Sequence, residues 1–291
     1  MIGNFIKILM PEKLYNYFFY YYSHFRKLYL PKKINLKSPQ TFNEKILWLK
    51  MYYRYPGANK LADKFFVREY IKKTIGEKYL IPLIGVYDTA NKIDFSKLPD
   101  SFVLKPNHAS GIILFVKDKR KLDEFKCKKM LNKWLKLDYY KLSKSYEYKD
   151  IKPRILCEEY LEGSREFGLL DYKFFCFNGE PLYIQVDFDR FVNHTRAFYD
   201  INWNKQPFTT LYPLSIKELP RPKNFDEMIY IARTLSKDMI FVRIDLYNIE
   251  GRIYFGEITF HHGGGFEPFY PKKWDYILGY NINISVIKIS N

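Results

Sequence analysis

The sequence predicts an α+β protein in which helices come first and an antiparallel, β-rich half follows. Three observations carry that expectation. The first sixty residues read as helices broken at Pro11, Pro31, Pro39 and Pro56, since proline removes an amide donor and clashes inside a helix. After Gly163 short runs alternate apolar and polar residues, and Tyr172–Phe177, Asn178-Gly179 and Leu182–Asp187 give the clearest hairpin signal, because Asn-Gly accepts the positive φ angles of a tight turn. Finally, Arg243–Tyr247 and Gly251–Thr259 read as two strands that each carry one acid, Asp245 and Glu257, among apolar neighbours. These observations divide the chain into a helical region over 1–60, a mixed region over 61–162 and an antiparallel-sheet region over 163–291.

Within the first region, Leu14–Phe25 is aromatic and low in charge, which predicts a packed or interfacial helix. Ile2, Phe5, Ile6, Ile8 and Leu9 are apolar, but Lys7 and the break at Pro11-Glu12-Lys13 leave the run too short for a signal peptide or a membrane span. Ser38–Asn43 supplies a turn ahead of an apolar-periodic segment that ends at Lys50.

The second region opens with Asp63, an N-cap residue type, before Lys64–Ile71, so a helix is expected there with Lys64 in its first turn. Strands are expected at Leu80–Val86, Phe102–Lys105, Ile112–Val116 and Ile155–Glu159. Lys105 ends one of them beside the polar turn Pro106–Gly111. A lysine and several backbone N–H groups so placed suit a polyphosphate, and an ordinary hairpin with a solvated lysine is the competing reading. The chain has neither the spacing of a P-loop nor a GxGxxG element. Leu156–Glu162 leaves a strand with two acids, a tyrosine and a leucine, and the carbonyl and amide of such a strand end suffice to read adenine.

Composition bounds the partners. The chain has 291 residues, 47% of them hydrophobic, with 27 Tyr and 25 Phe, which is ample for a core. Forty-eight basic against 32 acidic residues give a net charge of +16 and attraction to anions of several kinds. Between Val116 and Arg154 stand 14 basic and 6 acidic residues, and Leu122, Phe125, Leu131, Trp134 and Leu135 recur there at helical spacing. Such a run is commonly a solvated face; read functionally, it is a basic amphipathic helix that touches a membrane or an acidic glycan. Cys127, Cys157 and Cys176 cannot all pair and lack metal spacing, which predicts reduced thiols and a cytoplasmic setting, with a peripheral contact at the inner face of a membrane left open.

The third region carries the acid pair. A carboxylate on a half-buried strand is costly unless a cation or donor meets it, and two on adjoining strands suit Mg²⁺, whose other positions go to water and nucleotide phosphates. A two-residue turn at Ile249-Glu250 would put Asp245 and Glu257 on opposite faces. A five-residue connection or a bulge would instead set Glu257 opposite Arg243 and diagonal to Asp245. A surface hairpin with solvated acids, or with acids paired to Arg243 and Arg252, is the alternative. A helix is expected at Asp226–Lys237.

The ordered set of Lys64, Lys105 with its polar loop, Glu158-Glu159-Tyr-Leu161, Asp245 and Glu257-Ile-Thr259 resembles the ATP-grasp superfamily, over about Asp63 to Gly265. More narrowly, Asp-Lys-x-x-Val-Arg at 63–68, Leu-Lys-Pro-Asn-His at 104–108 and Glu-Ile-Thr-Phe followed by three glycines at 257–265 look like its teichuronopeptide-type, TupA-like branch, associated with bacterial surface-polysaccharide loci. The resemblance implies two α+β subdomains clasping ATP, with the phosphate loop and adenine hinge in 61–162 and the metal site in 163–291. It implies that Lys64 and Lys105 contact ATP phosphates, that the turn from His108 through Ser110 to Gly111 covers them, and that the backbone at Glu158, Glu159 and Leu161 meets adenine. Asp245 and Glu257 would hold Mg²⁺. Thr259 stands where many superfamily members have Asn, and His261 where ligases often have Arg, so a weaker or water-mediated contact to the metal is expected, and His261-His262 either donate to an acyl phosphate or simply satisfy backbone groups before the glycine turn.

The implied chemistry is ligation of a carboxylate to an amine through an acyl phosphate, with the acid a uronic acid, free, nucleotide-linked or in a glycan, and the amine a small amine or amino acid. Arg190, Arg196 and Arg243 are candidates to bind the acidic acceptor, and Asp187 to position the amine; for each arginine a structural ion pair is the competing role. Two other enzymes stay open, an ATP-dependent small-molecule or sugar kinase and a glycosyltransferase; against the second, Asp187-Phe-Asp189 has nucleotide-sugar metal spacing but follows a hairpin strand. A nucleic-acid or membrane-surface binder would leave the ordered acids and lysines without purpose, so no nucleic-acid partner is expected.

Overall fold

The computed structural model describes residues 4–26, 33–164, 166–189 and 193–287. The chain forms two compact units, one of Gly57–Glu162 and one that joins Met1–Pro56 to Gly163–Asn291. Helices α1 (Asn4–Leu9) and α2 (Glu12–Arg26) lie either side of Pro11. Helix α3 (Phe42–Tyr52) starts on a capping box, in which Thr41 Oγ1 accepts the Glu44 amide and the Glu44 carboxylate accepts the Thr41 amide. Phe42, Ile46, Leu47 and Leu49 are fully buried, so α3 is a core helix.

In Gly57–Glu162 come α4 (Ala58–Ala62), α5 (Val67–Thr74), β1 (Leu83–Tyr87), β2 (Phe102–Pro106), β3 (Leu114–Val116), α6 (Glu124–Leu135), α7 (Tyr139–Ser143) and β4 (Ile155–Glu159). The strands form an antiparallel sheet in the order β1-β4-β2-β3. Phe102, Leu104, Val116, Ile155 and Cys157 pack with Leu131 and Cys127 of α6 into one core. Four expectations need correction. Asp63 does not cap a helix that holds Lys64: its carboxylate accepts the Phe65 and Phe66 amides and the Asn107 side chain, closing a turn between α4 and α5. The strand after the polar turn begins at Leu114, and β1 begins at Leu83, with a register irregularity between Leu83 and Gly85. Phe125 points outward, 79% exposed, because Cys127 and Leu131 are the residues of α6 that face the sheet.

The other unit continues with β5 (Asp171–Phe177), β6 (Glu180–Phe188), β7 (Thr195–Asp200), β8 (Lys205–Gln206), β9 (Thr209–Thr210), α8 (Phe225–Ser236), β10 (Phe241–Ile249), β11 (Arg252–Thr259), β12 (Phe269–Tyr270) and α9 (Lys273–Tyr280). Six strands form a sheet in the order β11-β10-β5-β6-β7-β8, and β9 pairs with β12. The Asn178-Gly179 hairpin forms as expected, with φ +50° and +85°. One face, with Phe174, Ile184, Val186 and Ile244, is fully buried, and Phe174 lies 6.0 Å from Phe225 of α8. The opposite face divides along its length. Phe175, Phe177, Phe198 and Phe241 pack there with Phe42 of α3 and Trp274 of α9, and beyond them the same face becomes polar.

The acidic hairpin reconciles two expectations that looked exclusive. A two-residue turn does form, at Glu250-Gly251 with φ +51° and +100°, pairing Ile249 with Arg252. A bulge between Asp245 and Leu246 then shifts the register by one residue, so Asp245 faces Glu257 directly and Arg243 faces Thr259. Glu257 is therefore opposite Asp245, not opposite Arg243. The bulge is carried by Gly256, where a Cβ would come within 3.0 Å of the Asp245 carbonyl oxygen. Among the described residues no helix is long and apolar enough to cross a membrane.

Candidate active site

Strand register places a line of polar side chains across the sheet: Glu257 on β11, Asp245 on β10, Lys173 on β5 and Gln185 on β6 are successive cross-strand partners. Arg243 lies on the same face, one pleat away, and organises one end. Its Nε and Nη2 donate to the two oxygens of Asp245 at 2.7 and 2.6 Å, and Nη2 also reaches Glu257 Oε1 at 3.1 Å and Thr259 Oγ1 at 3.2 Å. The Thr259 hydroxyl in turn donates to Glu257 Oε1 at 3.0 Å. Arg243 Nη1 lies 2.7 Å from His262 Nδ1. A guanidinium only donates, so that nitrogen accepts and the ring proton sits on Nε2, which lies 3.4 Å from Glu267 Oε2.

The other end centres on Asp187. Lys173 Nζ is bonded to Asp171 and lies 3.7 Å from Asp187 and 3.9 Å from Asp245. Arg196 donates to Asp187 Oδ1 at 2.6 Å, to Thr210 Oγ1 at 2.7 Å and to Glu267 Oε2 at 2.9 Å. Gln185 Nε2 donates to Asp187 Oδ2 at 3.0 Å, while its buried Oε1 has no hydrogen-bond partner among the described residues.

Burial sets the charge states. Desolvation pushes Asp245 up to about 7 against the pull of Arg243 and Lys173, and the neighbouring Asp171 adds to the rise. Against the same burial, the neighbouring His262 ring, the charge of Arg196 and the hydrogen bond from Thr210 hold Glu267 far below the usual carboxylate range, and the His194 ring, 3.1 Å away, with the charges of Arg196 and Lys173 does the same for Asp187. Burial, with help from Arg243, lowers His262, so its imidazole is neutral. Arg243 stays charged, because Asp245 and Glu257 outweigh its desolvation.

Among the described residues, five carboxylates, at 171, 187, 245, 257 and 267, gather here with three basic side chains, at 173, 196 and 243. That excess of negative charge is met by a proton on Asp245, which burial raises to about 7, or by a further cation. The hard oxygen donors Asp245, Glu257 and Thr259 fit Mg²⁺, and Glu257 is the more open of the two carboxylates, its side chain 27% exposed against 3% for Asp245. Among the described residues no group of three or more His, Cys, Asp or Glu is arranged to hold a metal, so a metal here would rest on the two carboxylates and the hydroxyl.

In Gly57–Glu162 a second set gathers around the turn after β2. Lys64 Nζ donates to Ala109 O at 2.6 Å, and its amide donates to Asn107 O, so the turn carries Lys64 with it. Lys105 Nζ meets Glu158 Oε2 at 2.5 Å, and Arg68 stands 3.5 Å from the same carboxylate. His108 is turned inward, with Nε2 3.1 Å from Leu137 O, and burial lowers its pKa. Its side chain is thus committed to packing, leaving Ser110 and Gly111, at φ +72°, as the open tip. The Glu159 amide donates to Pro82 O and is used by the sheet, so a base would be met beyond it, near Leu161.

The sequence candidates thus divide. Arg243, Asp245, Glu257 and Thr259 come together in one cluster, and Lys64, Lys105, Ser110 and Gly111 around one turn. Arg196 and Asp187 bind each other, which occupies the Nε and Nη1 donors that were expected to hold an acceptor carboxylate. His261 is buried beside the cluster, yet its neighbour His262 makes the contact with Arg243. Arg190 lies outside the described residues. His262 was weighed only together with His261, and Lys173, Gln185, Glu267 and Arg68 were missed; a lysine between two aromatic residues of a buried strand, as in Tyr172-Lys173-Phe174, was the available signal for the first of these.

A family model described as TupA-like ATPgrasp matches residues 44–283. No curated protein matches the chain. Among solved structures, the D-alanine–D-alanine ligase from Bacillus anthracis complexed with ATP aligns at 16% identity and a TM-score of 0.40, over 68% of this chain and 53% of that one. The D-alanine–D-alanine ligase from Helicobacter pylori gives 17% and 0.40 over 84% and 70%, and the ATP-grasp ligase PsnB with its minimal precursor 9% and 0.38 over 71% and 53%. The chain thus spans about half the length of the first of these ligases. Since the family model takes in most of the sequence, including both motif-bearing regions, the chain belongs to the TupA-like ATP-grasp family.

Proposed function

We propose that the protein is an ATP-dependent carboxylate–amine ligase acting on a uronic acid, as sugar, nucleotide-sugar or glycan, in bacterial surface-polysaccharide synthesis, at the cytoplasmic side. The observation that carries this reading is the charged line from Glu257 through Asp245 to Lys173, with Arg243 bridging its acids: carboxylates in excess, oxygen donors that suit Mg²⁺, and fixed cations at either side. Membership of an ATP-grasp family supplies the nucleotide.

In this reading an oxygen of the acceptor carboxylate attacks the γ-phosphorus of ATP and ADP leaves. The amine then attacks the acyl carbon, loses its proton, and phosphate departs, giving the amide. We assign Lys64 and Lys105 to the ATP phosphates, the Ser110-Gly111 tip to covering them, and the backbone about Glu158 to Leu161 to adenine. Asp245, Glu257 and Thr259 are assigned to Mg²⁺, which when bound neutralises charge on the phosphoryl group in transfer. Arg243, held by Asp245 and oriented by His262, offers fixed positive charge to that group without reorganising. The packed Arg196–Asp187 pair serves as a support for this cluster.

The test is ADP and phosphate release by the purified protein with Mg²⁺, ATP, a panel of uronic acids and a panel of amines. Phosphate release that needs both an acid and an amine, and that is lost in a folded Glu257→Gln variant, is the expected outcome. Phosphoryl transfer to a sugar without any amine would make it a kinase, and full ATP turnover by Glu257→Gln would remove the assigned metal site.

A further inference from the structure

Helix α6 carries a feature that the ligase chemistry leaves unused. Phe125, Lys128, Lys129, Asn132, Lys133 and Lys136 follow one another at i, i+3, i+4, i+7, i+8 and i+11, a single helical face, and with Asn91 of the neighbouring turn line an open cleft of about 400 Å³. The residues that anchor the helix, Cys127 and Leu131, are on the opposite side. Asn132 Oδ1 accepts the Ala90 amide at 3.3 Å and pins that turn to the helix, so the cleft is part of the packed fold.

The charge of this face is not answered within the unit. Lys126, off the cleft, pairs with Asp123, and Lys128 lies 5.6 Å from the Phe95 ring; among the described residues Lys129, Lys133 and Lys136 have no ion-pair partner. Like charges three and four residues apart weaken a helix, and a bound anion would reverse that cost. Exposed Phe125 at one end offers a large apolar face at a position where packing does not require one.

We propose that this cleft binds an acidic, carboxylate-bearing polysaccharide. The site is concave, which a flat membrane surface does not fill, and it has one exposed ring instead of the apolar stripe that an interfacial helix inserts into lipid. It also lacks the succession of aromatic platforms on which single-stranded nucleic acid stacks. Dispersed ammonium groups match carboxylates spread along a chain, the carboxamides of Asn91 and Asn132 match sugar hydroxyls, and the Phe125 ring matches the apolar face of a pyranose. The face extends roughly 17 Å along the helix axis, long enough for several sugar units. The choice of uronate as the acid rests on the ligase reading above, but binding here requires neither ATP nor the sheet-face cluster.

The experiment is fluorescence anisotropy of a labelled oligogalacturonate with the full chain, without ATP, at about 100 mM salt, where charges beyond about 10 Å are screened. The parent should bind and Lys129→Gln/Lys133→Gln/Lys136→Gln should bind about 30-fold more weakly, roughly threefold per exposed charge. Phe125→Ala should also weaken binding, and Lys73→Gln, on α5, should not. An unchanged unfolding temperature of these surface variants confirms that the fold is kept. No binding by the parent, equal binding by the triple variant, or tighter binding of anionic vesicles or single-stranded DNA through the same lysines would each overturn the proposal. Glycan binding without acid- and amine-dependent ATP turnover would discard the ligase reading and keep the cleft, and turnover on small uronates without glycan binding would do the reverse.

Discussion

Replacing Arg243 by Met tests whether one guanidinium holds the sheet-face cluster together. The side chain is buried and its donors reach Asp245, Glu257, Thr259 and His262. Methionine keeps much of the volume and removes every donor. Asp245, with two hydrogen bonds of 2.7 and 2.6 Å to Arg243, would be left in a site that is 2% exposed. Breaking a buried pair of this kind costs about 3–5 kcal/mol. The cost should depend on pH, since burial already raises Asp245 to about 7 with Arg243 in place, and loss of Arg243 raises it further. A carboxyl raised in the folded state contributes stability below its unfolded pKa and loses it as pH rises through the folded value, so the variant should suffer more at about pH 8 than at about pH 5. We expect a loss of about 4 kcal/mol at the higher pH and about half that at the lower, read by urea unfolding. Adding Asp245→Asn should recover about 2 kcal/mol, because a neutral side chain no longer needs the cation. A loss under about 1 kcal/mol, no recovery in the double variant, or no pH dependence would refute the account.

Three further outcomes follow from other contacts. Asp275, which accepts the Asn43 amide at 2.9 Å, is pushed up to about 6 by burial, so its contribution to stability should decline by about 3 kcal/mol as pH rises from about 4 through 6; calorimetry of Asp275→Asn should show that slope reduced, and an unchanged slope would assign it to other groups. Gly279→Ala should destabilise by about 2–3 kcal/mol despite the better helix propensity of alanine, because the new methyl would lie 2.4 Å from Gln40 O and 2.6 Å from Phe42 N, and a stable variant would contradict the packing of α9 on α3. Lys105→Ala should raise the KM for ATP by about tenfold, and the same ATP dependence in parent and variant would move the phosphate site elsewhere.

Local sequence was enough to find the elements whose signals are themselves local. Asn178-Gly179 needs only its own backbone freedom to set a hairpin. Asp245 and Glu257 stood out because acids among apolar strand residues are unusual, and their motif order pointed to the ATP-grasp fold before any coordinate. Lys64 and Lys105 were singled out by the same motif order. Less legible were the roles that depend on who stands opposite whom. The bulge at Gly256 decides that Glu257 faces Asp245, a shift of one residue that no alternation pattern specifies. Strand order, joining β10 to β5 and β5 to β6, brings Lys173 and Gln185 into the line with Asp245, although they are far away in sequence.

The helical start, the hairpins, the acid pair and the family motifs could be read along the chain, because each is written in neighbouring residues or in a fixed order. Packing in three dimensions was needed to show that Arg196 is taken up by Asp187 and Glu267, that His108 faces inward to Leu137, and that His262 is the histidine on Arg243. Those outcomes depend on burial, and burial turns a charged side chain from a free ligand group into one that must find its partner inside the protein.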